Sequence, residues 1–155
     1  MKKKNILISC ILLFLFTSCG FSPLHQNIKN VNFKIEKISY KGDTSINNYF
    51  STIFDRYKQT KEFKRKFIIA AETTYNKNIF SKDKTGNPIE YEIIIETKFK
   101  IYKGDSYIKN YKYLEKFKLK NEDDEFQEKD NERIIKQNYA SSVSKKLTTQ
   151  LLLFK

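Results

Sequence analysis

The sequence predicts an α+β fold, with two helices packed on one face of a four-stranded, mostly antiparallel sheet. Four stretches alternate apolar and polar residues, which is the period of a half-buried strand. Two further stretches repeat apolar residues three and four positions apart, which is the spacing of one helix face. Along the chain the order is strand, helix, strand, strand, strand, helix (β-α-β-β-β-α). Packing both helices on one side of the sheet buries the apolar face of every element.

The first strand begins at Val31, from which apolar and polar residues alternate as far as Ile35. The phase then shifts so that Ile38 is the next apolar position, which predicts a bulge or a strand end near Lys37. Turn-forming residues follow at 41–44, and after them the apolar residues form one helical stripe. The stripe contains Ile46, Tyr49, Phe50, Ile53, Phe54 and Tyr57. Because the other faces of this helix are polar, we expect its stripe to face the core.

Three consecutive strands joined by hairpins are predicted in the middle of the chain. Their inward-facing residues are Phe67, Ile69, Ala71, Thr73 and Tyr75, then Tyr91, Ile93, Ile95, Thr97, Phe99 and Ile101, then Tyr111, Tyr113, Phe117 and Leu119. Turn chemistry at 84–88 and at 103–106 separates the strands. Lys109 and Glu115 occupy inward positions of the last strand, which predicts that this strand lies at the edge of the sheet.

A long helix is predicted at the end of the chain. Acidic residues at 121–128 place negative charge near its start, where the helix dipole favours it. Apolar residues then recur every four positions, at Ile135, Tyr139, Val143, Leu147 and Leu151. This spacing keeps the repeat on one side of the helix and predicts its contact with the sheet.

The N-terminus predicts export and lipid anchoring. Lysines at 2–4 precede an apolar run at 6–16, far shorter than the roughly 20 residues that cross a bilayer, and Thr17 and Ser18 lead to Cys19. This pattern resembles a bacterial lipoprotein signal. The resemblance implies that Cys19 becomes the mature N-terminus and carries a diacylglyceryl thioether and an amide-linked acyl chain such as palmitate, which together give stable anchoring. The alternative is an ordinary signal peptide with an incidental cysteine.

Three segments are therefore predicted: a lipoprotein signal peptide at 1–18, a lipidated N-terminus and tether at 19–30, and a single α+β domain at 31–155. Gly20 stands where an aspartate retains enterobacterial lipoproteins in the inner membrane, so we expect the periplasmic face of the cell outer membrane. Removing the 18-residue signal from the 155-residue chain leaves 137 residues, enough for one ordinary core. The other cysteine leaves with the signal, so no disulfide is expected.

The chain is strongly basic, with a formal net charge of +12, of which about +9 remains without the three signal-peptide lysines. Such a surface suits acidic partners. Only Arg56, Arg65 and Arg133 carry the planar guanidinium that favours base recognition, so we expect no nucleic-acid partner. A composition rich in lysine, asparagine and isoleucine is also what an AT-rich coding sequence produces.

The sequence shows no catalytic or metal-binding constellation. His25 is the single histidine and lies in the predicted tether. The acidic pair Asp123 and Asp124 suits a helix start, and Glu90 and Glu92 suit the polar face of a strand. We therefore expect no enzymatic activity, no metal site and no cofactor.

The outward positions of the last two strands carry several lysines. They are Lys98, Lys100, Lys112, Lys116 and Lys118, with Ile94 and Tyr102 between them. Lysine binds phosphate as a point charge and nearby apolar groups can contact acyl chains, so this face is a candidate surface for a phosphorylated glycolipid. Alternating lysines also keep a solvent-facing sheet soluble, which is the alternative interpretation.

The segment Cys19–His25 reads Cys-Gly-Phe-Ser-Pro-Leu-His and is similar to the Cys-Gly-Phe-x-Pro-Leu-Tyr start of the LPS-assembly lipoprotein (LptE) family, especially its alphaproteobacterial branch. The order of strands and helices resembles the same family over nearly the whole chain. The resemblance implies a non-enzymatic lipoprotein that plugs and supports the LPS-assembly β-barrel protein LptD and assists lipopolysaccharide insertion into the outer leaflet. The candidate lipopolysaccharide-contacting residues are Lys82, Lys84, Lys116, Lys118 and Lys120.

Two other functions stay open at this point. One is an accessory lipoprotein of another envelope lipid transporter, with an inner-membrane or periplasmic partner. The other is a small periplasmic enzyme, which the shortage of nucleophiles and bases makes the weaker alternative.

Overall fold

Four strands and two helices make up the part of the chain that the computed structural model describes, residues 31–58, 63 and 65–154. In chain order the elements are β1 (Phe33–Gly42), α1 (Thr44–Phe54), β2 (Arg65–Lys82), β3 (Pro88–Lys103), β4 (Ser106–Lys120) and α2 (Glu125–Leu153), and a 3-10 turn at Asp55–Tyr57 continues α1. The predicted element order and the α+β class are confirmed. The predicted signal peptide and tether lie outside the described residues. Neither described helix has the length and apolar character needed to cross a bilayer.

The four strands form one mixed sheet in the order β1-β2-β3-β4. β1 runs parallel to β2, and the other neighbours are antiparallel. Parallel neighbours need a crossover connection, which α1 supplies. The predicted irregularity near Lys37 is confirmed, because the register of β1 against β2 shifts between Ile35 and Lys37. Within the described residues β4 has a strand neighbour on one side only, as predicted for an edge strand.

The turn from β1 into α1 depends on two adjacent residues. Gly42 has a φ of 94°, a conformation that favours glycine. A Cβ at this position would collide with the carbonyl oxygen of Thr73 on β2. The carboxylate of Asp43 then accepts a hydrogen bond from the amide of Ile46 at 2.8 Å, which caps the first turn of α1.

The core lies between the two helices and one face of the sheet. Its largest fully buried side chains are Tyr139, Phe33, Phe50, Phe54, Phe99, Ile35, Ile46, Ile69, Ile93, Ile95, Ile101 and Leu147. Phe50 of α1 packs edge-on against Phe99 of β3, with the ring centroids 5.4 Å apart, and against Tyr139 of α2 at 6.2 Å. Both helices therefore pack on the same face of the sheet, as predicted.

A buried hydrogen-bond network crosses this core. The hydroxyl oxygen of Tyr139 lies 2.9 Å from Thr97 Oγ1 and 3.1 Å from the carbonyl oxygen of Tyr113. Thr97 Oγ1 in turn lies 3.1 Å from Thr73 Oγ1. Burial raises the pKa of Tyr139 to about 12, so its hydroxyl stays protonated at neutral pH. The network joins α2 to three strands and fixes the position of the helix on the sheet.

Polar contacts also hold the C-terminal half of α2. Glu115 faces inward from β4 and accepts a hydrogen bond from Lys146 at 2.6 Å. The guanidinium of Arg65 donates to the carbonyl oxygens of Leu152 and Phe154. The hydrogen bonds from Arg65 satisfy carbonyl groups at the helix end that have no partner within the helix. Of the two inward charges that predicted an edge strand, Glu115 thus has a partner on the helix, whereas Lys109 is exposed.

Candidate functional site

The β2–β3 hairpin and the end of β4 form one end of the sheet, which we call the tip and define as residues 79–90 and 118–120. Lys120 pairs with Glu90 across β3 and β4, so the hairpin and the end of β4 are neighbours. Four of the five predicted lipopolysaccharide contacts share the tip: Lys82, Lys84, Lys118 and Lys120. The fifth, Lys116, lies two residues before Lys118 on the same outward row of β4.

The turn of the hairpin has a defined shape because Asp83 binds three groups of the residues that follow it. Its Oδ1 accepts hydrogen bonds from the backbone amides of Thr85 and Asn87, both at 2.8 Å, and from the Thr85 hydroxyl at 2.7 Å. The Thr85 hydroxyl and the Asn87 amide lower the pKa of Asp83. This turn holds Lys84 in solvent.

Apolar side chains are exposed at the tip. Ile79, Phe80 and Ile89 are 50%, 52% and 47% exposed. The ammonium group of Lys118 lies 4.2 Å from the centroid of the Phe80 ring, a cation–π contact. The tip therefore presents apolar and cationic groups side by side, a combination that suits an amphiphilic ligand with anionic groups.

The structure divides the five predicted lysines into two sets. Three of them form ion pairs: Lys116 with Glu92 at 3.3 Å, Lys118 with Glu90 at 3.3 Å, and Lys120 with Glu122 at 3.4 Å. We call these the paired lysines. Lys82 and Lys84, which we call the hairpin lysines, have no ion pair within the described residues. The hairpin lysines are therefore the freer cations of the tip for binding a phosphate.

The outward face of the sheet, opposite the helices, carries mixed charge. Glutamates on β3 lie beside the lysines of β4, and Glu96 binds Lys112 at 2.9 Å and its own strand neighbour Lys98 at 3.1 Å. Hydrogen bonds from these two lysines lower the pKa of Glu96. The predicted lysine-bearing face is present, but the cross-strand carboxylates neutralise much of its charge.

Two features of this site were not predicted from the sequence. The first is the pairing of the outward glutamates of β3 with the lysines of β4. Which lysine each glutamate meets depends on the register between the two strands, and alternation alone does not determine register. Ile79 and Phe80 are adjacent apolar residues, which breaks the alternation of β2 and could have indicated exposed apolar surface near the hairpin.

The predicted lipid-attachment residue Cys19 and the lone histidine His25 lie outside the described residues. Among the residues that the structure does describe, no three His, Cys, Asp or Glu side chains are grouped so that they could hold a metal ion.

Comparisons with known proteins bear on the fold. No family model and no curated protein sequence matches the chain. Rare lipoprotein B from Shewanella oneidensis has a similar structure, with a TM-score of 0.51 and 11% identity, over 74% of this chain and 95% of that one. A minor lipoprotein from Acinetobacter baumannii matches with a TM-score of 0.51 and 9% identity over 74% and 92%. A lipoprotein B from Nitrosomonas europaea matches with a TM-score of 0.50 and 15% identity over 79% and 83%.

The chain shares its fold with these bacterial lipoproteins. The likeness spans most of each chain, so it covers the whole arrangement of sheet and helices and not a single hairpin. At these identities the likeness concerns architecture, and the chemistry of the tip has to be argued from this chain's own residues.

Proposed function

We propose that this chain is an outer-membrane lipoprotein, anchored through Cys19, that occupies the lumen of the LPS-assembly barrel LptD, supports the barrel and assists lipopolysaccharide insertion into the outer leaflet. The observation that carries the proposal is the segment Cys19–Leu24, Cys-Gly-Phe-Ser-Pro-Leu, directly after a signal-like segment. The fold supports it, because several solved structures with a similar architecture are described as bacterial lipoproteins.

The mixed charge of the outward sheet face supports a place inside a barrel. The lumen of a large outer-membrane barrel is polar and hydrated. A face that alternates lysines and glutamates, such as Lys112 beside Glu96 at 2.9 Å, can exchange these ion pairs for contacts with a polar wall. An apolar face has no charged groups that could form such contacts with a polar wall.

The tip supports contact with lipopolysaccharide. This glycolipid carries phosphate groups on a hydrophobic anchor, and the tip offers the hairpin lysines beside the exposed Phe80 and Ile89. An ammonium group binds phosphate as a point charge without fixed geometry, and exposed apolar side chains can contact acyl chains. The role that we propose is binding and support, without catalysis.

Neutralising lysines in pairs tests the proposed contact. In Lys82→Gln/Lys84→Gln we expect binding in a lipopolysaccharide pull-down to fall about five- to tenfold, because two unpaired cations are lost. Lys116→Gln/Lys118→Gln should lose about twofold, since each of these lysines is already partnered by a glutamate.

The matched control is Lys103→Gln/Lys109→Gln, which makes the same change in charge beside the β3–β4 turn, at the opposite end of the sheet. We expect its binding to be unchanged. Equal losses in all three double variants would show a non-specific charge effect, and unchanged binding in the hairpin variant would remove the tip as the contact. Circular dichroism of each variant establishes that the fold is intact.

A further inference from the structure

The two halves of α2 are held to the rest of the domain in different ways. Its buried residues all lie in the C-terminal half: Tyr139, Ala140, Val143, Ser144, Leu147 and Leu151. None of the residues 125–136 is buried, and Phe126 in the first turn is 77% exposed. The N-terminal half therefore contributes no fully buried apolar side chain to the core.

Ion pairs with Lys77 of β2 attach the N-terminal half of α2, in which Ile135 is only half-buried. Lys77 lies on the inward face of β2, and its ammonium group is 2.7 Å from Glu128 and 3.3 Å from Glu132. Glu132 also binds Lys136 at 2.8 Å. The side chains of these four residues are only 15–24% exposed, so solvent screens them less than ordinary surface pairs. Each lysine also lies over a tyrosine ring of the sheet, Lys77 at 4.4 Å and Lys136 at 4.1 Å.

Buried apolar side chains lie on the sheet at the same level. Lys77 pairs with Ile93 of β3, which is 0% exposed. One row nearer the tip lies Leu119, which is 2% exposed, and the exposed Ile79 lies in the same row. This end of the inward face thus combines buried apolar residues with a helix segment attached through charge.

We propose that residues 125–136 of α2 form a cover that can be displaced from the sheet while residues 139–151 stay docked. Displacing the cover would extend the apolar surface of the tip from Ile79 along the inward face to Leu119 and Ile93. The cover concerns the folded domain itself and does not depend on the proposed role in lipopolysaccharide transport.

The difference in attachment gives the physical reason. Ion pairs whose side chains keep 15–24% exposure are screened less than fully exposed pairs, but added salt still weakens them. The C-terminal half has the Lys146–Glu115 ion pair, but it is also held by buried apolar residues and by the Tyr139 network, neither of which salt weakens. A helix can lose hydrogen bonds from one end while the other end stays folded, so opening of the first turns does not require global unfolding.

Amide hydrogen exchange on the full chain in detergent tests the cover. Raising the salt concentration from low to high should speed exchange of residues 129–136 by about tenfold and leave residues 139–151 unchanged. Lys77→Met, which keeps the length of the side chain and removes the charge, should give the faster exchange already at low salt. Its further response to salt should be smaller than that of the unsubstituted chain, because only the ion pairs within the helix remain.

The matched control is Lys146→Met, which breaks the 2.6 Å pair of Lys146 with Glu115 in the docked half and should leave exchange of 129–136 unchanged. Exchange of 129–136 and 139–151 at one common rate in all conditions would overturn the proposal. So would Lys77→Met and Lys146→Met having equal effects on 129–136. Should a variant fail to fold, the salt series on the unsubstituted chain still shows whether residues 129–136 exchange independently of residues 139–151.

Discussion

Among the glycines that the structure describes, Gly42 is the one at which an added methyl group should disturb the fold most. Its φ of 94° is unfavourable for any residue with a Cβ, and the new methyl would also meet the carbonyl oxygen of Thr73. The amide of Asp43 donates to that same carbonyl at 3.0 Å, so the backbone has no freedom to move away. The sequence predicted a turn here, but the close approach of β2 is a tertiary contact that the local sequence does not show.

We expect Gly42→Ala to lower the free energy of unfolding by about 2–4 kcal/mol, because backbone strain and a steric clash add together. Gly86→Ala is the matched control: Gly86 also has a positive φ, of 92°, but a Cβ there would meet nothing within 4 Å. Its cost should be about 1 kcal/mol, from strain alone. Urea unfolding of both variants measures the difference, and equal costs would contradict the role of the Thr73 contact.

The sequence was enough to predict which face of each strand and helix is buried. It was not enough to predict which residues pair with the inward-facing charges. The alternation from Phe67 to Tyr75 places side chains on one face because the period of a strand is two. The inward charges are different. Lys77 meets Glu128, 51 residues further along the chain, and Glu115 meets Lys146 at a separation of 31. Such pairs depend on how a helix lies on the sheet, which no local pattern encodes.

The attachment of α2 through Glu132 should make stability depend on pH. Burial raises the pKa of Glu132, but hydrogen bonds from Lys136 and Lys77 outweigh it, so the pKa in the folded state is below its ordinary value of 4.5. The other groups that face it are Tyr75 on β2 and the carboxylate of Glu128, which shares Lys77. A lowered folded pKa means that the ion pair stabilises the fold above pH 4.5 and that this contribution is lost as pH falls below it.

Glu132→Gln should therefore lower the free energy of unfolding by about 1 kcal/mol near pH 6 and have a much smaller effect near pH 3. Urea unfolding at both values measures this. Glu122→Gln, which removes the carboxylate paired with Lys120 at 3.4 Å, is the control and should keep the pH dependence of the unsubstituted chain. An effect of Glu132→Gln that is the same at both pH values would contradict the assignment.

At the scale of the whole molecule, the sequence predicted the layers correctly because patterning alone decides which faces are buried. The sequence nominated lysines near the end of the last strand and near the first hairpin, and the structure brings four of these five lysines together at the tip. The sequence could not show that the paired lysines form ion pairs and that Lys82 and Lys84 do not, because cross-strand pairing depends on strand register. The adjacent apolar residues Ile79 and Phe80 could have indicated exposed apolar surface, but the contact of Phe80 with Lys118 depends on the pairing of the strands.

The proposed location and partner rest on the proposed acylation of Cys19 and on the sequence of the segment that follows it. A lipid anchor holds a single domain at one membrane surface, so its available partners are those of that membrane. The proposed anchor and the proposed barrel partnership are therefore tested together by one purification.

That measurement is affinity purification of the natively processed chain from cell membranes, with mass spectrometry of its N-terminal peptide and of the proteins bound to it. We expect a first residue of Cys19 carrying the mass of its acyl chains, together with the outer-membrane barrel LptD in near-equal amount. An N-terminus elsewhere with no acyl chains, or an ATP-driven inner-membrane transporter in place of the barrel, would contradict it.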